Sequence, residues 1–250
     1  MPNLARIPRL YVEAPLAPGA CVSLGREQAH YVCNVMRLKA GQPLRLFNGR
    51  DGEWLCTIDA AGKRDCSLTC TEQTAGHRQP PDLDYLFSPL KHARLDYMAQ
   101  KATEMGARRL RPVFTERTVA TRVNLERLRA NAVEAAEQCN LVTVPEVLPP
   151  DSLDSVVAQW DPLRGLVFCD ETAAISDPLE ALKGLPRGPL ALLIGPEGGF
   201  SEAERDMLLE REFVTAVSLG PRVMRADTAG VAALALVQAV WGDWSNHQQD

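Results

Sequence analysis

Apolar and polar positions follow two different rhythms along this chain. Toward the N-terminus they form short runs, at 21–24, 43–47, 54–58 and 67–71, punctuated by Asn48-Gly49 and Asp51-Gly52. Such runs read as strands, and the Asn-Gly and Asp-Gly pairs as tight turns. One stretch, 25–38, has helical spacing instead. Glu27, His30, Asn34 and Arg37 fall on its polar side, and Ala29, Val32, Cys33 and Met36 on the other. The expectation is a small barrel carrying one helix. The polar, aperiodic stretch TEQTAGHRQPPD at 71–82 then reads as a linker.

Beyond the linker, apolar runs of strand length alternate with stretches of helical period. Strands are expected at 83–87, 110–115, 165–170, 190–194 and 216–219. Helices are expected at 92–105, with Gly106 as C-cap, and at 124–139, 202–211 and 228–241. Strands interleaved with helices predict an α/β domain with a parallel sheet. There is no internal repeat.

Composition narrows the class of protein. At 46% hydrophobic and 24% charged, the chain can bury a sizeable core and is not disordered. Its net charge of −5 is unevenly spread. Residues 1–129 hold 20 Lys/Arg against 13 Asp/Glu, whereas 130–250 hold 7 against 19. The stretch 78–129 alone has 11 basic and 6 acidic residues, a basic surface suited to phosphates or else a solvated helix face. The seven cysteines include no CxxC pair, and Cys66/Cys70 lack a second ligand pair at zinc-like spacing. They read as reduced thiols of a cytoplasmic protein, with no metal implied. The N-terminus has no apolar signal region, and the apolar run 230–241 is too short to span a bilayer.

Open parallel sheets bind ligands beyond the C-terminal ends of their strands, so the loops after Ile194 and Leu219 are the places to look. The first is Gly195-Pro196-Glu197-Gly198-Gly199-Phe200, whose glycines permit close ligand approach and φ > 0 turns. Ser201 to Glu204 fits a capping box opening a helix. The loop is neither a Walker A nor a GxGxxG sequence, which disfavours phosphate or dinucleotide binding. The second loop is Gly220-Pro221-Arg222-Val223-Met224-Arg225. Pro221 stiffens it, and Gly220 leaves backbone open to a flat ligand such as adenine. Asp227 or Thr228 is expected to cap the helix that follows, whose small residues Ala229, Gly230, Ala232, Ala233 and Ala235 permit close packing. Arg222 and Arg225, three apart at the mouth of an apolar helix, call for anionic partners.

GPEGGFSEAE (195–204) and LGPRVMRADTA (219–229) resemble the two signature segments of the SPOUT methyltransferases. Within that superfamily they resemble the RsmE family, the 16S ribosomal RNA uridine-N3 methyltransferases. The likeness covers nearly the whole chain. His30 to Leu38 is similar to the family's "HYLxxVLRL" segment, Lys91 with Lys101 to Gly106 to its "K…QKATELG" helix, and Glu134 to Cys139, followed by Pro145, to its "EAAEQ" segment. Two segments depart from the pattern: Leu141 stands where an arginine is usual, and "RTETA" appears as Arg225-Ala226-Asp227-Thr228-Ala229.

The resemblance implies a PUA-like RNA-binding barrel at 1–73 and a SPOUT methyltransferase domain at 82–250 with a C-terminal trefoil knot. It implies a homodimer acting on 16S rRNA of the small ribosomal subunit, with S-adenosyl-L-methionine as cofactor. Ile194, Gly195, Glu197, Gly198, Gly199, Leu219, Gly220, Arg222, Met224, Arg225, Thr228 and Ala229 are expected to hold the cofactor. His30, Asn34, Arg37, Lys91, Arg94, Arg117 and Arg122 are expected to meet RNA. Uridine N3 is a weak nucleophile until its proton leaves, so the site needs a base or a positive charge that stabilises the anion. Arg225 is the candidate for the charge; Glu197 is a candidate base or a structural loop residue. Rival readings are an RNA-binding SPOUT protein that has lost catalysis, for which Leu141 speaks, and a SPOUT methyltransferase acting on another RNA. A small-molecule α/β enzyme is disfavoured, because no nucleophile–base constellation is evident.

Overall fold

The computed structural model describes residues 4–62, 65–91, 93–173 and 177–244. The chain divides into two compact units, one of Met1–Gln79 with Ala136–Val144, the other of Pro80–Ala135 with Pro145–Asp250.

The first unit is a five-stranded mixed sheet. Strands β1 (Arg9–Tyr11), β2 (Cys21–Leu24), β3 (Pro43–Phe47), β4 (Glu53–Ala61) and β5 (Cys66–Ala75) lie in the order β1-β3-β4-β5-β2. β1 pairs with β3 in parallel, and the other pairs are antiparallel. Register shifts at three places along the β4–β5 pair bend these long strands around the core, as bulges do. That core includes Leu44, Leu46, Ile58 and Leu68, with Ala29 and Val32 packed in from the helical segment. The expected helix over 25–38 is shorter. α1 spans Arg26–His30, a single π-helical turn follows at Tyr31–Val35, and Arg37 adopts φ +58°. A left-handed arginine ends the helix, which periodicity alone does not reveal. Its polar side stands as expected: Glu27, His30, Asn34 and Arg37 are all exposed. β5 runs on to Ala75, so the first residues of the expected linker are strand.

Arg9 is the charged centre of this unit. Its Nε donates to Glu53 Oε2 at 2.5 Å, Nη1 to the carbonyls of Ala136 and Glu137 at 2.6 and 3.0 Å, and Nη2 to that of Leu141 at 2.7 Å. The Arg9 and Glu53 side chains are only 3% and 5% exposed, and Arg45 adds a second cation to Glu53 at 3.1 Å. Burial pushes the Glu53 carboxyl up, but the contacts from Arg9, Thr74 and Arg45 outweigh it and leave the group below its ordinary value. The Leu141 that departs from the family pattern thus contributes its carbonyl to a buried guanidinium.

The second unit holds a parallel sheet. Its strands are β6 (Leu83–Phe87), β7 (Arg109–Phe114), β8 (Glu146–Val147), β9 (Asp151–Ser152), β10 (Gly165–Cys169), β11 (Leu190–Ile194) and β12 (Val214–Val217), in the order β12-β10-β11-β6-β7-β8 with β9 beside β7. Every residue of β6 and β11 is buried, the mark of strands covered on both faces. The helices are α2 (Ala93–Glu104), α3 (Leu125–Gln138), α4 (Leu153–Ala158), α5 (Pro178–Lys183), α6 (Glu202–Leu209) and α7 (Ala226–Val240). The expected first residue of α2, His92, lies outside the described residues. Gly106 (φ +76°) closes α2 with bonds from its own N–H to Thr103 O and from Ala107 N–H to Ala102 O, a Schellman motif.

α7 packs against α2, α5 and β11. It approaches the sheet so closely at Gly230 that an added Cβ would sit 2.2 Å from the Tyr85 hydroxyl. Its N-cap is Arg225, whose side chain makes no capping bond, rather than Asp227 or Thr228. Asp227 lies two residues too far in, in the first turn: its carboxylate accepts from the neighbouring Thr228 N–H at 2.9 Å.

Candidate functional site

Three loops leave the C-terminal ends of the adjacent strands β10, β11 and β12, and a cavity of about 320 Å³ lies among them. That volume lies within the size range of small-molecule sites.

The loop after β11 contributes Ile194, Gly195, Pro196, Glu197, Gly199 and Phe200 to the cavity wall. Gly195 is there for lack of space: a Cβ would stand 2.4 Å from the Phe200 ring, which packs edge-on against Phe168 at 4.9 Å. Gly199 (φ +68°) closes the turn by donating to Pro196 O at 2.9 Å. Ser201 and Glu204 then form the expected capping box at the start of α6. Two arginines brace this loop from outside. Arg94 forms an ion pair with Glu197 and approaches Asp227 at 4.0 Å, while Arg117 Nη1 donates to Gly198 O at 2.9 Å.

The loop after β12 contributes Ser218, Leu219, Gly220, Pro221, Arg222, Val223 and Met224, followed by Ala226 and Ala229 of α7. Gly220 has φ +106°, and nothing lies within 4 Å of where its Cβ would be. Its glycine is therefore required by conformation, and its backbone faces open space. Arg222 and Arg225 are exposed, and among the described residues neither side chain has an ion-pair partner.

The third wall was not legible from the sequence. Cys169 at the end of β10 and Asp170, Glu171 and Thr172 after it line the cavity together with Arg205 of α6. Asp170 is 5% exposed; its Oδ1 accepts from the Thr172 N–H and hydroxyl at 3.0 and 2.9 Å, and its Oδ2 from Arg205 Nε at 2.6 Å. No glycine marks this loop. Its position follows from β10 lying between β11 and β12. Burial pushes the Cys169 thiol up to about 12.

Of the residues expected at a ligand, Ile194, Gly195, Glu197, Gly199, Leu219, Gly220, Arg222, Met224 and Ala229 come together around this cavity. Gly198, Arg225 and Thr228 do not line it. Lys91, Arg117 and Arg122 are exposed on the second unit and His30, Asn34 and Arg37 on the first, while Arg94 and Arg117 are engaged with the loop after β11. Among the described residues no His/Cys/Asp/Glu group has the makings of a metal site, and no helix is long and apolar enough to cross a membrane.

Residues 77–238 match the model of an RNA methyltransferase domain, and residues 24–69 that of an RNA methyltransferase PUA domain. The ribosomal RNA small subunit methyltransferase E of Rickettsia conorii is 30% identical, over 92% of this chain and 94% of its own length. The crystal structure of a ribosomal RNA small subunit methyltransferase E from Neisseria gonorrhoeae bound to S-adenosyl methionine superposes with a TM-score of 0.86, at 26% identity, over 96% of this chain and 100% of that one. A Legionella pneumophila protein solved with the bound cofactor SAM superposes with a TM-score of 0.83, at 29% identity, over 95% and 99% of the two chains. With its PUA domain ahead of an RNA methyltransferase domain and this likeness along nearly its whole length, the chain belongs to the ribosomal RNA small subunit methyltransferase E family.

Proposed function

We propose that this protein is an S-adenosylmethionine-dependent methyltransferase that modifies N3 of a uridine in 16S rRNA of the small ribosomal subunit. The observation that carries the reading is the cavity formed by three loops at adjacent strand ends, in a chain whose relatives hold that cofactor. The residues suit the group. Open backbone at Gly220, with apolar Ile194, Val217, Met224 and Ala229, suits an adenine ring, and the charged β10–α6 wall suits a zwitterionic amino acid.

When bound, the cofactor supplies a methyl group on a sulfonium sulfur. The chain's own work is to hold the uridine in line, exclude water and deal with the N3 proton. Arg225, exposed at the N-cap of α7 and without an ion-pair partner among the described residues, stabilises the uridine anion. Glu197, fixed by Arg94 at the cavity rim, is the candidate proton acceptor. Lys91 and Arg122 meet RNA phosphates, joined by Arg94 and Arg117 from the loop they brace; His30, Asn34 and Arg37 meet RNA on the first unit. Residues 1–73 form the RNA-binding part and 82–250 the catalytic part.

The reading includes a homodimer, a cytoplasmic location and a C-terminal trefoil knot. The packing of α7 back onto α2 and β11, after the chain has left the edge strand β12, supports the threading.

The test is to incubate the protein with tritiated cofactor and small subunits from a methylation-deficient strain, then map the labelled nucleoside. Label in N3-methyluridine is expected. Arg225→Ala should lower transfer without loss of fold. RNA binding without label would favour the reading of lost catalysis, and label in another RNA would favour a different substrate.

A further inference from the structure

Two arginines, Arg205 and Arg222, line the cavity, and their settings differ. Arg222 is exposed and, among the described residues, held by nothing. Arg205 rises from the first turn of α6, where its Nε is clamped on the buried Asp170 at 2.6 Å. Asp170 is itself fixed by Thr172 and by its own N–H, which donates to Val217 O at 3.1 Å. The guanidinium plane is thereby set before any ligand arrives. Among the described residues neither terminal nitrogen has a partner, and the side chain remains 32% exposed. A fixed guanidinium with a free Nη1–Nη2 edge is the geometry that grips a carboxylate with two parallel bonds. Glu171, in the same loop, lies against Gly199, with its Oε1 3.0 Å from where a Cβ would stand there. An anion beside a cation matches a ligand end that carries both charges, in a cavity that apolar Val217, Met224 and Ala229 also line.

We infer that Arg205, oriented by Asp170, takes the α-carboxylate of the cofactor's amino acid end and that Glu171 faces its α-ammonium. This rests on the proposed reading of the cavity as the cofactor site. Arg205 is thus a specificity-determining residue and Asp170 a positioning residue.

The test is calorimetry on the full chain with two ligands, S-adenosylhomocysteine and 5′-methylthioadenosine, which lacks both charged groups. Arg205→Met keeps the aliphatic stem and removes the fork. Because it leaves Asp170 buried without its cation, the double variant Asp170→Asn/Arg205→Met is measured beside it. Both variants should bind S-adenosylhomocysteine about 10–100-fold more weakly, the range for a lost charge-assisted bond, with 5′-methylthioadenosine unchanged within about twofold. Equal losses for the two ligands, or no loss for either, would overturn the role of Arg205. Failure of the unaltered protein to bind either ligand would overturn the cofactor site itself, and this inference with it.

Discussion

Replacing Gly230 by alanine sets two effects of opposite sign against each other. Within a helix the change alone favours folding by about 1 kcal/mol, because glycine has more backbone freedom to lose. At this position the new methyl would sit 2.2 Å from the Tyr85 hydroxyl and 3.2 Å from its ring carbon Cζ. Tyr85 is 1% exposed and stacks on Phe87 at 5.2 Å, so the ring has nowhere to swing. Overpacking of this kind costs about 1–3 kcal/mol. The clash should win, with a net loss of up to about 2 kcal/mol in urea unfolding. The partner substitution Tyr85→Phe removes the atom that clashes. With the hydroxyl gone, the nearest remaining contact is the 3.2 Å one, tight but not prohibitive. The double variant should therefore recover most of the loss, with a coupling of about 1 kcal/mol or more. A Gly230→Ala protein more stable than the original, or a cycle without coupling, would show that α7 does not lie this close to β6.

Four further outcomes are expected. Gly220→Val forces a β-branched residue to φ +106° in open space, so the fold should survive while the loop shifts, weakening S-adenosylhomocysteine binding about 10–100-fold by calorimetry; unchanged affinity would separate that loop from the ligand. Arg9→Leu removes one member of a buried pair and should lower stability by about 3–5 kcal/mol in chemical unfolding, whereas a loss under about 1 kcal/mol would contradict its burial. Glu53, held below its ordinary value of 4.5, contributes stability that is present above that value and lost as pH falls through the lower folded one. Glu53→Gln should flatten the acid limb of a stability-versus-pH curve below about pH 4.5, and an unaltered limb would refute the linkage. At pH 8 the half-buried Cys169 thiol, pushed up to about 12, should be alkylated by iodoacetamide far more slowly than the exposed Cys21; similar rates by peptide mass spectrometry would count against the raised thiol.

The second unit was the more legible in the sequence. β6 and β11 are five-residue, wholly buried runs, and their bounds coincide with the expected ones because a strand covered on both faces has no polar position to blur its ends. The capping box at Ser201 and the cap at Gly106 were visible for the same local reason. β1 was hidden because Arg9 reads as surface; what permits its burial is Glu53 and the carbonyls of residues far along the chain. α5 was missed despite a local signal, Asp177 at the N-cap followed by Pro178. The glycine-bearing loops after β11 and β12 announced two walls of the cavity. The third, with Asp170 and Arg205, depends on which strands are neighbours, and no short-range pattern encodes that.

The first unit is not one continuous stretch of sequence. Residues Ala136–Val144 return to it from beyond the first two strands of the other sheet, and they supply three of the carbonyls that surround Arg9. A fragment cut after Gln79 would thus leave a buried guanidinium with three of its four acceptors missing. Dissecting this protein by simple truncation should give an insoluble N-terminal piece. A linker that rejoins 136–144 to the end of β5 is the way to isolate that module, and its solubility would report on how much of the module's integrity depends on nine borrowed residues.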